Sequence, residues 1–381
     1  MNGSPILFDL LSMGSINKGF VFLSGKKIPY ADLKSVSTEN LSEHEQEVLN
    51  ALQAWQSGES IFEVQSSGTT TGSAKTCCLQ RKQIEDSIGL TFQVFSIPQN
   101  LPLVANLRVG HVGGLMAVLR AIETGRDLWV LPSTSRPLSF LDHVGKLRYG
   151  MISLVPFHVE RLISENQLDL LSAFHTVLIG GAPVSAQLIS AMQTVSSNLY
   201  QTFGMAETCS LVAYRRINPL EVHYQVLPEH EVKTDEEGCL IFRGAVSRFQ
   251  KICTRDQGVL IDEKHFSWIG RKDDVINSGG IKIHLVGIEE EIRSCLLKEG
   301  RQVPSFCCVG EPDSQLGERL VWVIEGEEWS DEKQQDHLKL LLQQLPPYHN
   351  PKKIKFLKQL PRTQIGKLIR RYPLPSTDYK G

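Results

Sequence analysis

The 381 residues are enough for two or three domains of about 150 residues each, with a large buried core. A composition of 41% hydrophobic and 22% charged residues is that of a folded globular chain, and a net charge of −2 excludes a general pull toward nucleic acid or anionic lipid. No run approaches the ~18 apolar residues of a membrane span. The N-terminus has no basic stretch followed by an apolar one, and none of the eight cysteines has CxxC spacing, so a cytoplasmic protein with reduced thiols is expected.

In chain order, Gly19–Leu23 reads as a strand, Ser24–Lys27 as a tight turn and Glu43–Gln56 as a polar helix. Ile61–Val64 alternates apolar and polar residues and predicts a short strand. It leads into Ser66-Ser67-Gly68-Thr69-Thr70-Thr71-Gly72-Ser73-Ala74-Lys75. Glycines let backbone N–H groups turn toward one point, and three Thr hydroxyls and Lys75 add donors. That combination suits a polyphosphate. The run lacks the Gly-Lys-Ser/Thr ending of a Walker A loop, and by composition alone a flexible linker reads as well.

Lys82–Phe95 predicts an amphipathic helix stopped near Pro98. His111 follows the apolar run Leu101–Asn106 and opens the turn His111-Val112-Gly113-Gly114-Leu115, with a helix over Met116–Ile122. A lone histidine is more often a satisfied structural residue than a catalytic one. The apolar runs Asp127–Pro132, Gly150–Pro156 and Phe174–Gly181 alternate with helical stretches Pro156–Glu165 and Ser185–Ser196. This is the pattern of an α/β sheet covered on both faces. Ligands gather at the carboxyl ends of such strands, and Gly180-Gly181-Ala182-Pro183 is one such end.

The next strand, from Asn198, runs into a glycine turn at Gly204 with Glu207 three residues on. Glu207 is a candidate magnesium ligand, although an acid at a helix N-terminus is the commoner case. Tyr214–Asp262 predicts antiparallel strands and turns, ending at Cys253–Gly258. After the charged turn Arg271–Asp274, Val275–Ile283 reads as a hairpin around Gly279-Gly280. A helix over Glu289–Leu297, strands Ser305–Val309 and Leu320–Glu325, and a helix near Asp331–Leu345 make a small α+β domain. The tail Leu360–Arg371 is basic, a composition usual for a solvated loop.

Five segments together carry a resemblance that none carries alone: Ser67–Lys75, Gly180–Ala182, Phe203–Thr208, Gly270–Gly280 and Pro361–Arg370. In this order they resemble the acyl-adenylate-forming (acyl-CoA synthetase, AMP-binding) superfamily over about Phe62–Arg371. Within it, His111–Leu115, Gly204–Ser210 and Trp268–Gly280 look most like the compact o-succinylbenzoate–CoA ligases of menaquinone synthesis.

The resemblance implies a large N-terminal α/β domain, mostly parallel with a small β subdomain, over residues 1–271. It implies a mobile small α+β domain over 272–381, hinged near Asp273. The implied reaction takes a small-molecule carboxylic acid, ATP and Mg²⁺ to acyl-AMP and pyrophosphate, then passes the acyl group to coenzyme A. Ser67, Gly68, Thr69, Thr70, Thr71, Gly72 and Lys75 would hold phosphates. Gly181, Ala182, Pro183, Thr202, Phe203 and Gly204 would line the nucleotide and acyl pockets. Glu207 would bind Mg²⁺, Asp256 and Arg271 the ribose. His111 would gate the acyl pocket, Lys367 would stabilise charge at the α-phosphate, and Gly279-Gly280 would face CoA.

Four departures stand out: a loop one residue longer with Ala74 for Pro, Ala206 for Thr, Arg255 for Gly before the ribose Asp, and a short segment before the loop, which implies a reduced or absent N-terminal subdomain. Two rivals stay open: another aryl or fatty acid or a carrier-protein thiol, and a catalytically degenerate nucleotide-binding paralogue. Retention of Glu207, Asp256, Arg271 and Lys367 favours the active ligase. No nucleic-acid or membrane partner is expected, and a homo-oligomer is compatible with the sequence.

Overall fold

The computed structural model describes residues 18–66, 75–139, 147–298, 303–327, 344–363, 368–370 and 374. The chain separates into two compact units. One holds the described residues through Lys233 with Ile241–Cys253 and Leu260–Ser267. The other holds Thr234–Leu240, Thr254–Val259 and those from Trp268 onward.

The first unit opens with the antiparallel pair β1 (Phe20–Leu23) and β2 (Lys26–Pro29). Helix α1 (Glu43–Gln56) starts on a capping box: Ser42 Oγ accepts from the Glu45 N–H at 3.3 Å, and Glu45 Oε2 accepts from the Ser42 N–H at 2.9 Å. Its buried face carries Val48, Leu49, Leu52 and Trp55. Strands β3 (Ile61–Gln65) and β4 (Thr76–Gln80) form a separate two-stranded antiparallel sheet.

The remaining elements alternate as the sequence predicts: α2 (Arg81–Phe95), β5 (Leu103–Ala105), α3 (Val112–Glu123), β6 (Leu128–Val130), β7 (Tyr149–Leu154), α4 (Pro156–Ser164), β8 (Phe174–Ile179), α5 (Ala186–Ala191), β9 (Asn198–Met205), β10 (Ser210–Arg216) and β11 (Tyr224–Val226). The order β9-β8-β7-β5-β6-β1 is parallel throughout, and β10 and β11 continue antiparallel beyond β9. Helix α3 is buried from Gly114 to Ile122 and is apolar over that stretch except at Arg120. Ile152, Phe174, Val177 and Ile179 of β7 and β8 pack with Val159, Leu162 and Leu188 of α4 and α5.

Four strands follow: β12 (Glu231–Thr234), β13 (Cys239–Arg243), β14 (Ile252–Leu260) and β15 (His265–Arg271). The second unit then builds its own sheet from β16 (Val275–Ser278), β17 (Ile281–His284), β18 (Phe306–Asp313), β19 (Gly317–Glu325) and β20 (Lys353–Leu357), with helix α6 (Leu285–Lys298). Both faces of β18 and β19 are buried. Phe306, Cys308, Leu320 and Trp322 pack with Ile288 and Ile292 of α6, while Cys307, Val309, Val321 and Val323 pack with Leu360 and Leu368. The adjacent Cys307 and Cys308 therefore point to opposite cores, as the two-residue period of a strand requires. All eight cysteines are free, and among the described residues no helix is long and apolar enough to cross a membrane.

Three expectations need correction. No glycine turn ends β9 at Gly204: the strand runs on to Met205, and a 3-10 turn over Ala206–Thr208 returns it antiparallel into β10. Strand β14 runs through Cys253–Gly258 to Leu260 instead of ending there. Strand β20, parallel to β19, is additional. The predicted helix near Asp331–Leu345 falls largely outside the described residues.

Candidate active site

In the first unit, β3 and β4 pair from Ile61↔Gln80 to Gln65↔Thr76, so the ends of the hydroxyl-rich segment are clamped together. The Ser66 N–H donates to the Lys75 carbonyl at 2.8 Å, and the Lys75 N–H donates to Ser66 Oγ at 3.0 Å. Lys75 thus sits at the base of the loop. Ser67, Gly68, Thr69, Thr70, Thr71 and Gly72 lie outside the described residues, as does Lys367.

His111 precedes α3 and reaches the same place. Its Nδ1 is 3.1 Å from the Gln65 carbonyl, and the Gln65 N–H donates to the Gly110 carbonyl at 2.7 Å. The ring is therefore tied to the last residue of β3, one position before the clamped pair Ser66 and Lys75.

The β8 and β9 ends also meet. A Cβ on Gly180 would lie 2.2 Å from Thr202 Oγ1, so a side chain there would expel the threonine. Gly181, Ala182 and Pro183 follow in the bend before α5, whose cap is Ser185. Gly204 is constrained more tightly: a Cβ would lie 1.6 Å from the Ser210 carbonyl oxygen across the hairpin. Phe203 is on this strand, but its ring packs against Tyr224, Phe242 and Phe266 at 5.5–5.8 Å. Any contribution to a pocket comes from its backbone.

The turn after β9 presents Glu207. The Thr208 hydroxyl closes it, 3.0 Å from the Met205 N–H and 3.0 Å from the Ser210 carbonyl. Cys209 and Ser210 sit at φ +50° and +81°, which reverses the chain. Glu207 is exposed and, among the described residues, has no hydrogen bond or ion pair. Its charge is felt at Cys77 on β4, whose thiol is pushed up first by burial and then by Glu207. The turn that carries it packs against β4, the strand that follows Lys75. A free, exposed carboxylate of this kind fits a hard divalent cation.

In the second unit Asp256 is 6% exposed on β14. Its Oδ1 accepts from Trp268 Nε1 at 3.0 Å and its Oδ2 from Arg271 Nη1 at 3.2 Å. Arg271 Nη2 also approaches Asp273 Oδ2 at 3.4 Å, and Asp273 Oδ1 is ion-paired with Arg255. Lys272 pairs with Glu237. Gly279 and Gly280 form the β16–β17 turn at φ +61° and +86°. Below the sheet, Arg370 donates to both oxygens of Glu289 at 2.7 Å, and Glu289 Oε1 accepts from the Cys308 N–H at 2.9 Å. Burial opposes the Arg370 charge, but Glu289 outweighs it and holds the guanidinium above its usual range.

The sequence pointed to Lys75, His111 and Glu207 singly; the structure ties Lys75 and His111 to one end of the β3–β4 sheet and packs the Glu207 turn against β4. It pointed to Asp256 and Arg271, which are in contact. The partners of these residues were not visible: Trp268 on Asp256, Arg255 on Asp273 and Gln65 on His111 all join segments distant in sequence. The sequence signals were that Arg255 stands beside Asp256 and that Trp268 opens the segment Trp268–Gly280.

A nucleotide-binding enzyme of the AMP-dependent kind is the class this architecture defines. The AMP-binding enzyme family model matches residues 23–245 and its C-terminal domain model matches residues 296–367. The chain belongs to this family. It is 28% identical over 283 residues to a 2-succinylbenzoate–CoA ligase of Listeria monocytogenes, covering 68% of this chain and 58% of that protein's length. An AMP-forming acyl-CoA synthetase/AMP-acid ligase II-like protein of Dyadobacter fermentans is 31% identical, with TM-score 0.56, covering 88% of this chain and 95% of the other. The o-succinylbenzoate coenzyme A synthetase of Bacillus subtilis, solved with ATP and magnesium, is 22% identical with TM-score 0.64, covering 81% and 68%. It shares the large sheet and the smaller C-terminal sheet.

Proposed function

We propose that the protein is an AMP-forming acid–thiol ligase acting on o-succinylbenzoate. The observation that carries this reading is the clamped base of the hydroxyl-rich loop, with His111 bound to Gln65 and Glu207 close to the same strand pair. The Listeria and Bacillus relatives named for this acid support the choice of substrate.

In this reading a carboxylate oxygen of the acid attacks the α-phosphorus of ATP, the new P–O bond forms, and the bond to pyrophosphate breaks. The sulfur of coenzyme A then attacks the acyl carbonyl, AMP leaves, and the thiol proton is released. Ser67–Gly72 and Lys75 would hold the phosphates through N–H, hydroxyl and ammonium donors. Glu207 would hold Mg²⁺, which when bound offsets phosphate charge. Asp256 would accept from the ribose hydroxyls beside Arg271. Gly181–Pro183 and Thr202–Gly204 would wall the pocket. Lys367 would stabilise the charge developing at the α-phosphate. His111 would close the acyl side. Residues 272–381 would move about Asp273 between the two steps and bring Gly279-Gly280 to pantetheine. Eight free thiols suit a reducing cytoplasm.

The test is pyrophosphate release with ATP and Mg²⁺ over o-succinylbenzoate, benzoates and fatty acids, with and without CoA. Release with o-succinylbenzoate, stimulated by CoA and lost in Lys367→Ala, is expected. Release with another acid alone would overturn the substrate. Silence with every acid while nucleotide binds would favour the degenerate paralogue, with the hydroxyl missing at Ala206 as the suspect.

A further inference from the structure

Arg255 precedes Asp256 on β14, at the position where the sequence resemblance has glycine, and the proposed chemistry gives it no task. The ion pairs around it do. Arg271 divides its guanidinium between two carboxylates, Nη1 at 3.2 Å from Asp256 Oδ2 and Nη2 at 3.4 Å from Asp273 Oδ2. One cation is thus shared by two anions. Arg255 supplies the second cation: its Nε and Nη2 both meet Asp273 Oδ1.

We propose that Arg255 is a positioning residue for the nucleotide, which occupies Asp273 and so keeps Arg271 on Asp256, holding that carboxylate as the ribose diol would meet it. The inference rests on the proposed ribose role of Asp256. Without Arg255, Asp273 Oδ1 loses this ion pair and Asp273 competes more strongly for Arg271. Asp256 is 6% exposed and depends more on its partner than the wetter Asp273 does. Trp268 Nε1 holds Oδ1 at 3.0 Å in either case, so loss of Arg271 would free only Oδ2 and let the carboxylate turn about the remaining bond. Arg255 is itself more than half exposed, so its own ion pair adds little to folding. Glu237 and Cys239 also act on Arg255, but more weakly than Asp273. The effect therefore belongs to binding geometry and not to the stability of the unit.

The experiment is calorimetric binding of AMP and of 2′-deoxy-AMP to the full-length protein, without acid or CoA. The wild type is expected to prefer AMP. Arg255→Ala is expected to weaken AMP on the order of tenfold and to erode the preference over 2′-deoxy-AMP, while Arg255→Lys keeps most of both. Arg255→Ala combined with Asp273→Asn is expected to return AMP affinity to within about twofold of wild type, because the competing charge is gone. Unchanged AMP binding in Arg255→Ala overturns the proposal. So does an equal loss for both nucleotides with no recovery in the double variant, the mark of a merely structural role. A folded wild type that binds neither nucleotide overturns the ribose reading of Asp256 itself, a separate failure from that of Arg255.

Discussion

His158 lies in the first turn of α4 and is 7% exposed, and burial pushes its pKa down to about 4. Burial lowers His44 and His230 in the same unit as well. A histidine kept neutral in the folded state but free to protonate when unfolded makes stability fall as pH falls. The loss starts near the ordinary value of 6.5 and continues until the folded group also protonates, near 4 for His158. For His158 alone the loss from pH 7 to pH 5 should be about 2 kcal/mol. Urea unfolding at the two pH values checks this: His158→Gln should show a visibly smaller loss than wild type, and an equal loss in both would remove His158 as the cause. At this same scale the candidate site residues were legible as types in order, because Glu207, Asp256 and Arg271 stand out by what surrounds them in sequence. Their immediate partners were not. Whether Trp268 reaches Asp256 depends on how β14 and β15 lie beside each other, and a neighbouring strand leaves no periodic trace.

Helix α6 shows what periodicity can and cannot reveal. Ile288, Ile292 and Leu296 mark its buried face at helical spacing, and all three enter the core of the second unit. Glu289 falls beside that face, and sequence alone would leave it in solvent. It is buried because Arg370 answers it with two hydrogen bonds, from a tail segment that composition assigns to a solvated basic loop. The tail is further held where Arg362 bridges to Leu368 and the Ile369 N–H donates to the Pro361 carbonyl at 2.9 Å. Removing one partner of a buried pair leaves the other charge uncompensated, so Arg370→Met should cost about 3–5 kcal/mol. Glu289→Gln with Arg370→Met should cost clearly less than Arg370→Met alone, since no lone charge remains. Denaturant unfolding of the single and double variants checks this, and a double variant less stable than Arg370→Met would mean that the pair is not the source of the loss. The same contrast explains β14: by sequence the antiparallel stretch reads as ending at Cys253–Gly258, yet its neighbours carry the strand to Leu260.

The whole chain is expected to report its ligand through stability. A molecule that binds only the folded state stabilises it by about 2.7 kcal/mol when present at a hundred times its dissociation constant. For a chain of 381 residues the entropy of unfolding is large, so the same free energy moves Tm by only about 3 °C. ATP with Mg²⁺ should produce such a shift, and removing the metal with chelator should shrink it if Glu207 and the nucleotide share the cation. Glu207 is exposed and unpaired among the described residues, so Glu207→Gln should leave Tm without ligand within about 1 °C of wild type. The variant should nevertheless lose the part of the ATP shift that depends on Mg²⁺ while keeping the metal-independent part. Thermal unfolding of both proteins with ATP, ATP plus Mg²⁺ and ATP plus chelator separates these contributions. A Glu207→Gln protein that keeps the full Mg²⁺-dependent shift would place the cation elsewhere. One that loses the ATP shift altogether, with and without Mg²⁺, would make Glu207 part of the nucleotide pocket's frame and not a metal ligand.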